Sequence, residues 1–522
     1  MNTSWGWDPR SLGPTIGVVT SGARASLVPV RISRDMIEVV RDEMLVVIDD
    51  YFEGRRYLGC VRSSTKLDIA IDGYALPTTF DPERSSQYAA PMMNALVEIL
   101  GEIGRNGGLE TSFAIPRPGS VVYLVNRGDL LARILGMPRG LVVGRHKFSG
   151  LELHLDPRAL NFHVAVIGAT GTGKSRLVKA LVEEVLEKTN YSVVIFDHTG
   201  VDYADPSRWR IVPEIVSGTE IVLHPVHVAQ LLIEKTGVSS YFEEHIYYSV
   251  LRYIIDATRN GAGNGEGVNG FTSRASQIEP DRLASVDVEK IIEEYYDRSR
   301  NGEFSWSYEA FLKGLENYLE ELHCRPTTIL KMKMLMSVYV GRAFFDQYLA
   351  RRRIVVRDLV RDVVEGRKRF VVVDLSSDVE AVSKRSIVAT FLHELWNYVI
   401  ELRRPVNVLV VVDEAHNYAC QRCSPCIEEI ERTAREGRKW GLGLVLASQR
   451  IRDLSTDVRG NINTVFFSRL QVSSDFQELR GWVEGVQSVE NVLPLLTTRE
   501  FFVAGLANPF RKPMLLKVRE VA

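Results

Sequence analysis

Residues 168–175 decide the fold, and they read Gly168-Ala169-Thr170-Gly171-Thr172-Gly173-Lys174-Ser175. This stretch fits the pattern G-x-x-x-x-G-K-[ST] at every position. An apolar run at 163–167 precedes it, and a helical pattern at 175–186 follows it. A glycine-rich loop between a strand and a helix can wrap its backbone N–H groups around phosphate, and the helix N-terminus favours the negative charge. The stretch therefore predicts a phosphate-binding loop in an α/β domain.

The loop supplies a first set of candidate site residues. We expect Lys174 to contact the β- and γ-phosphates of ATP, and Ser175 to coordinate Mg²⁺. The other candidate contacts to the nucleotide are Gly168, Ala169, Thr170, Gly171, Thr172, Gly173 and Arg176. A glycine-rich turn with a chance Lys-Ser pair is the alternative, and the flanking strand and helix patterns count against it.

A second motif, Val408-Leu409-Val410-Val411-Val412-Asp413-Glu414, joins an apolar run to two carboxylates. A continuously apolar strand is typical of a parallel sheet covered on both faces, and ligands bind at the carboxyl ends of such strands. We expect Asp413 to belong to the Mg²⁺ shell and Glu414 to position and deprotonate the attacking water. Taken alone, the pair fits a solvated turn equally well, and the phosphate-binding loop favours the catalytic interpretation.

Two more candidates follow further along the chain. Gln449 directly follows an apolar run at 444–448, where it can sense the γ-phosphate. A glutamine that only caps the end of the strand would give the same sequence pattern. The basic stretch 432–439 contains Arg438 and Arg435, our first and second candidates for an arginine supplied to the nucleotide of a neighbouring subunit. A helix C-terminus whose basic residues complement the helix dipole is the alternative.

The first 75 residues contain four short apolar or β-branched runs separated by turn residues. These runs are 16–20, 26–32, 44–48 and 57–62. Short strands at this spacing predict a small barrel or sandwich. We expect residues 87–103 to form a helix inserted into it, and strand-like pieces to resume at 120–125 and 141–143. These patterns place the first domain at 1–150.

From residue 161 onward, apolar runs alternate with helical stretches, which is typical of a parallel sheet with crossover helices. The predicted strands are 163–167, 192–197, 370–375, 406–413, 443–448, 465–470 and 501–504. An α/β domain is expected at 151–505, with a helical insertion at about 205–365 and a C-terminal tail at 506–522. Within the insertion, a Gly/Asn/Ser-rich stretch at 260–276 is expected to be a flexible surface loop.

The composition of the 522 residues, 45% hydrophobic and 25% charged, excludes a disordered or collagen-like protein. The 64 basic and 66 acidic residues leave a net charge of −2, without the basic excess typical of a protein that coats nucleic acid. The basic residues are 49 Arg and 15 Lys, and arginine suits ion-pair networks and subunit contacts. A base-composition bias of the genome would explain the arginine content equally well.

The sequence predicts neither a signal peptide nor a membrane span. Segment 1–11 has no basic stretch followed by an apolar core, and the densest apolar run, 406–412, is too short to span a bilayer. We therefore expect a cytoplasmic protein without a membrane partner. Cys420, Cys423 and Cys426 have a spacing that zinc or an iron–sulfur cluster can use. Because no second C-x-x-C pair accompanies them, we favour free thiols or a disulfide and assign no metal.

Together these segments resemble the HerA family of archaeal hexameric DNA translocase and helicase ATPases, relatives of the FtsK motors. The resemblance rests on the segments 163–175, 371–376, 411–417, 434–443 and 447–450. It implies an α/β fold with a RecA-like P-loop ATPase core, an N-terminal small β-barrel and a helical insertion. It also implies a homo-hexameric ring with ATP at each interface, double-stranded DNA in the central channel, and a NurA-like nuclease as partner in DNA end resection and recombinational repair.

By motif position, the resemblance assigns the phosphate and Mg²⁺ contacts to Lys174 and Ser175, and the metal-shell and catalytic carboxylates to Asp413 and Glu414. In the same way Gln449 becomes the sensor and Arg438 the arginine that acts in trans. Two departures from the family pattern occur. Segment 197–203 reads Asp-His-Thr-Gly-Val-Asp-Tyr where family members tend to have D-P-H-G-E-Y, and Phe162 stands where an arginine is common.

A ring needs positive charge only along its channel, so the near-zero net charge does not exclude DNA. Candidate residues for gripping the duplex are 351–353, Lys331 and Lys333, although basic residues on helices more often form a solvated face. Two other functions stay open. A conjugative-transfer ATPase would move single-stranded DNA or protein, and a ring that only binds nucleotide would act as a scaffold for a nuclease.

Overall fold

The computed structural model describes residues 5–68, 91–260, 287–378 and 380–521. The chain divides into two compact units. The first contains Met1–Thr189, Gln449–Arg452 and Ile462–Val521, and the second contains Asn190–Ser448 and Asp453–Asn461.

The strands are β1 (Thr15–Val19), β2 (Leu27–Ile32), β3 (Leu45–Asp50), β4 (Arg55–Leu67), β5 (Met92–Ile103), β6 (Leu109–Glu110), β7 (Val121–Leu124), β8 (Gly144–His146), β9 (Val164–Ile167), β10 (Ser192–Asp197), β11 (Glu214–Ser217), β12 (Ile221–Val222), β13 (Ile354–Val355), β14 (Phe370–Asp374), β15 (Val408–Val412), β16 (Leu442–Ser448), β17 (Thr464–Phe467), β18 (Glu500–Gly505) and β19 (Met514–Val518). The main α-helices are α1 (Gly128–Ile134), α2 (Lys174–Lys188), α3 (Pro225–Thr236), α4 (Glu243–Asn260), α5 (Val288–Asn301), α6 (Tyr308–Glu321), α7 (Pro326–Leu335), α8 (Val356–Val364), α9 (Ala381–Leu402), α10 (Cys426–Glu436), α11 (Thr456–Asn461) and α12 (Ser473–Trp482).

The N-terminal part of the first unit is a closed six-stranded barrel. Its strands pair in the order β2-β1-β7-β3-β4-β5, and β5 returns to β2, with every pairing antiparallel. The inward-facing side chains, among them Val46, Tyr57 and Val97, are fully buried. Closure leaves these six strands without a free edge, which protects a small sheet from pairing with other chains. The predicted small barrel is confirmed.

The helix predicted over 87–103 is wrong where the structure describes it, because Met92–Ile103 is strand β5. Its side chains alternate between buried and less buried positions, the period of a strand. The segment is rich in Met, Leu and Glu, which favour helices, and Leu96 and Leu100 hide the alternation in the sequence. Pairing with β2 on one side and β4 on the other overrides this local preference.

A buried ion cluster ties the barrel to the C-terminal part of the same unit. The guanidinium of Arg62 donates to Glu43, to Glu98 at 2.8 Å, and to the backbone carbonyl of Pro513 at 2.7 Å. The side chains of Arg62 and Glu43 are 3% and 1% exposed. Burial raises the pKa of Glu43 to about 7, and the nearby Arg62 charge opposes that rise. The cluster is stable as a group because each buried charge faces an opposite one.

The rest of the first unit carries the phosphate-binding loop. Strand β9 runs parallel to β17, and β17, β18, β19 and β8 then pair antiparallel in that order. Two expectations are corrected here. The stretch predicted as a C-terminal tail contains β19. The strand predicted at 141–143 is replaced by β8, which begins at Gly144 and pairs with β19.

The second unit contains a parallel sheet in the order β11-β14-β10-β15-β16. The residues of β10, β15 and β16 are all buried. This is the apolar, two-sided burial expected of a parallel sheet, and the predicted α/β fold class is confirmed. The short strand β11 was not predicted, since half of its residues are exposed and it lies at the edge of this sheet.

Helices α3 to α8 follow β12 and pack around aromatic side chains. The buried aromatic residues include Tyr253, Tyr295, Phe304, Trp306, Phe311 and Phe345. Most of the loop predicted at 260–276 lies outside the described residues. No helix in the described ranges is long and apolar enough to cross a membrane. The domain boundaries at 150 and 505 stay predictions.

One of the candidate DNA-gripping residues is buried. Arg352 is 3% exposed, and its guanidinium donates to the carbonyl of Ile221 at 2.7 Å and lies over the ring of Tyr348 at 4.3 Å. Arg352 therefore holds the helical region together and cannot reach a duplex, whereas Arg351 and Arg353 are exposed.

The ion cluster of the barrel gives a first test. Arg62→Ala should lower stability by about 3–5 kcal/mol, because it leaves buried carboxylates without a cation. The loss should grow as the pH rises from 5 to 8, because Glu43, with its pKa near 7, is neutral at the lower pH and charged at the higher one. The measurement is the shift of the thermal unfolding midpoint against pH. Arg55→Ala, which removes a half-exposed pair with Glu102, is the control and should cost less than about 1 kcal/mol. Equal losses in the two variants would show that the buried cluster stabilises the fold no more than a surface pair does.

Candidate nucleotide-binding and hydrolysis site

The shape of the phosphate-binding loop comes from its glycines. Gly171 and Gly173 have φ of 79° and 95°, which side chains with a Cβ rarely adopt. At Gly168 space is the limit, because a Cβ there would lie 2.7 Å from Thr172 Oγ1. These positions therefore keep the backbone close to any group that the loop encloses.

Helix α2 begins at Lys174, and its N-cap is Gly173, which has no side chain to cap the first N–H groups. Uncapped N–H groups and the helix dipole both favour an anion at this end. Lys174 is 9% exposed, and its Nζ donates to the carbonyl of Gly168 at 3.0 Å, across the loop. Ser175 is half-buried and Arg176 exposed in the same helical turn. Loop, lysine and helix start together form an anion site suited to nucleotide phosphates.

Gln449, the predicted sensor, lies against this loop. Thr170 Oγ1 donates to Gln449 Oε1 at 2.7 Å. The contact joins two residues separated by 279 positions, so it is a feature of the folded unit. A glutamine amide next to the phosphate-binding loop is placed where it can respond to bound phosphate, and its role stays a prediction.

Residues before β18 support the loop from the other side. The backbone N–H of Arg499 donates to the carbonyl of Thr172 at 2.8 Å, and Thr498 Oγ1 donates to the carbonyl of Gly171 at 3.2 Å. Arg499 itself has a left-handed φ of 69°. This support was not predicted, because nothing in the sequence pattern around 497–499 marks it.

The acidic motif lies in the second unit, at the end of the fully buried strand β15. Asp413 is 4% exposed. Burial raises its pKa well above the ordinary value, and the charges of Glu414, Asp197 and Asp202 add to that shift. Glu414 follows in a left-handed conformation, with φ 45° and ψ 48°. A buried carboxylate among other carboxylates is a place where a cation is strongly favoured.

Asp197, at the end of β10, anchors the loop that departs from the family pattern. Its side chain accepts hydrogen bonds of 2.8 to 3.2 Å from the backbone N–H groups of Thr199, Gly200, Tyr203 and Ala204. These bonds use both carboxylate oxygens, so Asp197 has a structural role. The other acidic residue of this loop is Asp202, and its negative charge contributes to the raised pKa of Asp413.

Arg435 and Arg438 are both exposed on the second unit. Arg435 is in the last turn of α10, and Arg438 is in the 3-10 turn Gly437–Trp440 that follows it. Exposure is what a residue needs if it acts on the nucleotide of another subunit, and the assignment of Arg438 before Arg435 stays a prediction.

The cysteine cluster contains one disulfide, between Cys420 and Cys423, and the buried thiol of Cys426. The sequence left free thiols and a disulfide open, and the structure contains both. Across the ranges that the structure describes, no group of three or more His, Cys, Asp or Glu side chains is arranged to hold a metal ion by itself.

Comparison with known proteins shows similarity to one family of helicases. Residues 141–395 match the family described as "Helicase HerA, central domain". A probable helicase of Methanocaldococcus jannaschii is 26% identical over 456 residues, which cover 83% of this chain and 82% of the relative. The DNA double-strand break repair helicase HerA of Pyrococcus furiosus is 26% identical, covering 72% and 68%. The HerA of Sulfurisphaera tokodaii is 24% identical, covering 82% and 78%.

Solved structures with lower sequence identity include VirB4 and a bacterial conjugative coupling protein. VirB4 of Thermoanaerobacter pseudethanolicus is 16% identical, with a TM-score of 0.46 over 74% of this chain and 97% of its own. The conjugative coupling protein TrwB is 14% identical, with a TM-score of 0.47 over 76% and 94%.

A full phosphate-binding loop at a strand–helix junction, in an α/β chain that also ends a buried parallel strand in two carboxylates, defines a P-loop ATP hydrolase. The central-domain match and the HerA relatives name the group more closely. Over its central region the chain is similar to the HerA helicase family.

Lys174 gives the direct test of the loop. Lys174→Ala should lower ATP turnover by at least about 100-fold, because it removes a charge that stabilises the transferring phosphoryl group. Lys188→Ala is the matched control, since Lys188 belongs to the last turn of the same helix and pairs with Glu184. Steady-state hydrolysis and nucleotide affinity of both variants check the prediction, and wild-type turnover in Lys174→Ala would refute the assignment.

Proposed function

We propose that the chain is an ATP-driven translocase and helicase that moves along double-stranded DNA as a homo-hexamer. We further propose that it acts with a NurA-like nuclease in DNA end resection and recombinational repair. Similarity to the HerA central domain supports this proposal, as do relatives named DNA double-strand break repair helicases. The observation that carries it is the phosphate-binding loop, whose uncapped helix start and cross-loop lysine form an anion site suited to nucleotide phosphates.

In this proposal, residues 168–176 bind the phosphates of ATP, and Lys174 stabilises the charge that develops on the γ-phosphoryl group. Glu414 orients the attacking water and takes its proton. Gln449 responds to the presence of the γ-phosphate. Arg438 of one subunit stabilises the transition state at the nucleotide of its neighbour, which couples hydrolysis to the contact between subunits.

Mg²⁺ fits the residues present. Asp413 offers a buried carboxylate whose charge is unfavourable without a cation, and Ser175 offers a hydroxyl, both being the oxygen ligands that Mg²⁺ prefers. When bound, Mg²⁺ would neutralise charge on the β- and γ-phosphates. Asp413 would then hold the ion, and the neighbouring Glu414 would be left to act on water.

Two competing functions make different predictions. A conjugative-transfer ATPase would be stimulated by single-stranded DNA or by a protein substrate. A nucleotide-binding scaffold would form a ring and bind a nuclease without turnover. Measuring ATP turnover with linear duplex DNA, with single-stranded DNA and without DNA, together with the mass of the assembly, separates all three.

We expect duplex DNA to stimulate hydrolysis by a six-subunit ring. Glu414→Gln should reduce kcat by about 10²–10⁴-fold, because the amide cannot take a proton, and should leave nucleotide affinity unchanged. Glu436→Gln, in which the replaced glutamate is exposed at the end of α10, is the control and should turn over normally. Absence of both a ring and DNA stimulation would defeat the translocase proposal.

Mixing two inactive variants tests the arginine. Arg438→Ala keeps its own phosphate-binding loop, and Lys174→Ala keeps its own arginine. If Arg438 acts in trans, mixed rings contain some interfaces with both groups intact, and the mixture should hydrolyse ATP faster than either variant alone. Arg435→Ala, the second candidate one turn earlier on the chain, is mixed with Lys174→Ala in parallel, and recovery of turnover only in that mixture would assign the trans role to Arg435. A mixture no more active than its parts would show that Arg438 does not act across the interface.

A further inference from the structure

Two side chains in the second unit join the ends of neighbouring parallel strands. His198 follows β10, and Tyr418 comes six residues after the last residue of β15. The Tyr418 hydroxyl lies 2.7 Å from His198 Nδ1, and the two rings meet edge to face with centroids 5.7 Å apart. Tyr418 is 1% exposed and His198 is half-buried. Neither residue is among the site residues predicted from the sequence.

The charge states of the pair decide the direction of this hydrogen bond. Burial raises the pKa of Tyr418, so the phenol keeps its proton. Burial lowers the pKa of His198, and the positive charge of Lys384 lowers it further, so the imidazole is neutral. The phenol therefore donates to the Nδ1 lone pair, and the ring proton is on Nε2. One tautomer and one ring orientation of His198 are thus selected.

The turn that carries Glu414 is closed by hydrogen bonds at Asn417 and Tyr418. Glu414 has the left-handed φ of 45°, which is unfavourable for a residue with a side chain and persists only where the surroundings hold it. The N–H of Asn417 donates to the Glu414 carbonyl at 2.9 Å, and Arg385 Nε donates to the Asn417 carbonyl at 2.9 Å. The N–H of Tyr418 closes the turn on the carbonyl of Ala415 at 3.0 Å.

His198 lies in a loop whose backbone is held by several hydrogen bonds. Lys384 Nζ donates to its backbone carbonyl at 2.9 Å. The residue before it, Asp197, is fixed by the backbone N–H groups described above. The Tyr418–His198 contact therefore links the left-handed turn after β15 to a loop that is held by several independent bonds.

We propose that Tyr418 and His198 are positioning residues that hold the Glu414 carboxylate in place for ATP hydrolysis. The proposal rests on the proposed function, in which Glu414 acts on the attacking water. The pair acts through the turn, by fixing the segment that carries Glu414. Its loss shifts Glu414 without removing it, so hydrolysis slows and nucleotide binding is unaffected.

The experiment measures steady-state ATP turnover and the affinity for a fluorescent ATP analogue in the full-length protein. Tyr418→Phe and His198→Ala should each lower kcat by about 10-fold, since displacement of a reacting group by as little as 1 Å can cost about 100-fold. KM and nucleotide affinity should stay within about twofold, because binding is a separate step. The double variant should be no slower than either single variant, because each removes the same hydrogen bond.

His198→Asn is the conservative variant. The Asn side-chain oxygen can accept the Tyr418 proton near the position of Nδ1, so this variant should recover most of the turnover lost in His198→Ala. Tyr398→Phe is the matched control. It removes a phenol hydrogen bond to Glu365 on an exposed face of α9, and its kcat should equal that of the wild type.

Each other outcome overturns the proposal. Unchanged kcat in Tyr418→Phe and His198→Ala would show that the pair has no positioning role. A fall in kcat that follows a loss of nucleotide affinity or of the unfolding midpoint, or that His198→Asn does not recover, would show a general structural role. Full turnover in Glu414→Gln would overturn the proposed function itself. This outcome is distinguishable from a failure of the positioning proposal, because it appears in the carboxylate variant and not in the Tyr418 and His198 variants.

Discussion

The first N–H groups of helix α2 need a partner from outside the helix, and the N-cap, Gly173, has no side chain to provide one. An anion satisfies them best, because the helix dipole places partial positive charge at the same point. The left-handed glycines of the loop keep its backbone close to that point, and Lys174 crosses the loop to add a full positive charge. The anion site is therefore built from backbone groups and one lysine, and hydrogen bonds from Thr498 and Arg499 support the loop.

Buried carboxylates are used in two different ways in this protein. Glu43 in the barrel faces the buried guanidinium of Arg62, and Asp197 is surrounded by backbone N–H groups, so both have protein partners that compensate their burial. Asp413 instead lies among the negative charges of Glu414, Asp197 and Asp202. The first arrangement stabilises the fold. The second costs stability in the absence of a cation, which is the arrangement expected where a metal ion belongs to the reaction.

Strands buried on both faces were predictable, because such strands read as continuous apolar runs. The strands β9, β10, β14, β15 and β16 all follow this rule, and the predicted ranges match them to within two residues at each end. Strand β5 does not follow it, since its outward positions carry Leu96 and Leu100 and its composition favours a helix. Likewise β19 was mistaken for a tail, and Arg352 was mistaken for a surface cation although it binds backbone carbonyls in the interior.

The sequence by itself determined the phosphate-binding loop, the strand with two carboxylates and the α/β class, because each depends on neighbours within a few positions of the chain. Only the tertiary structure decided that β5 completes a closed barrel, that Gln449 meets Thr170, and that Tyr418 meets His198 across 220 positions. These contacts depend on which strands lie side by side. Strand order follows from the packing of the whole unit, so no local pattern of residues records it.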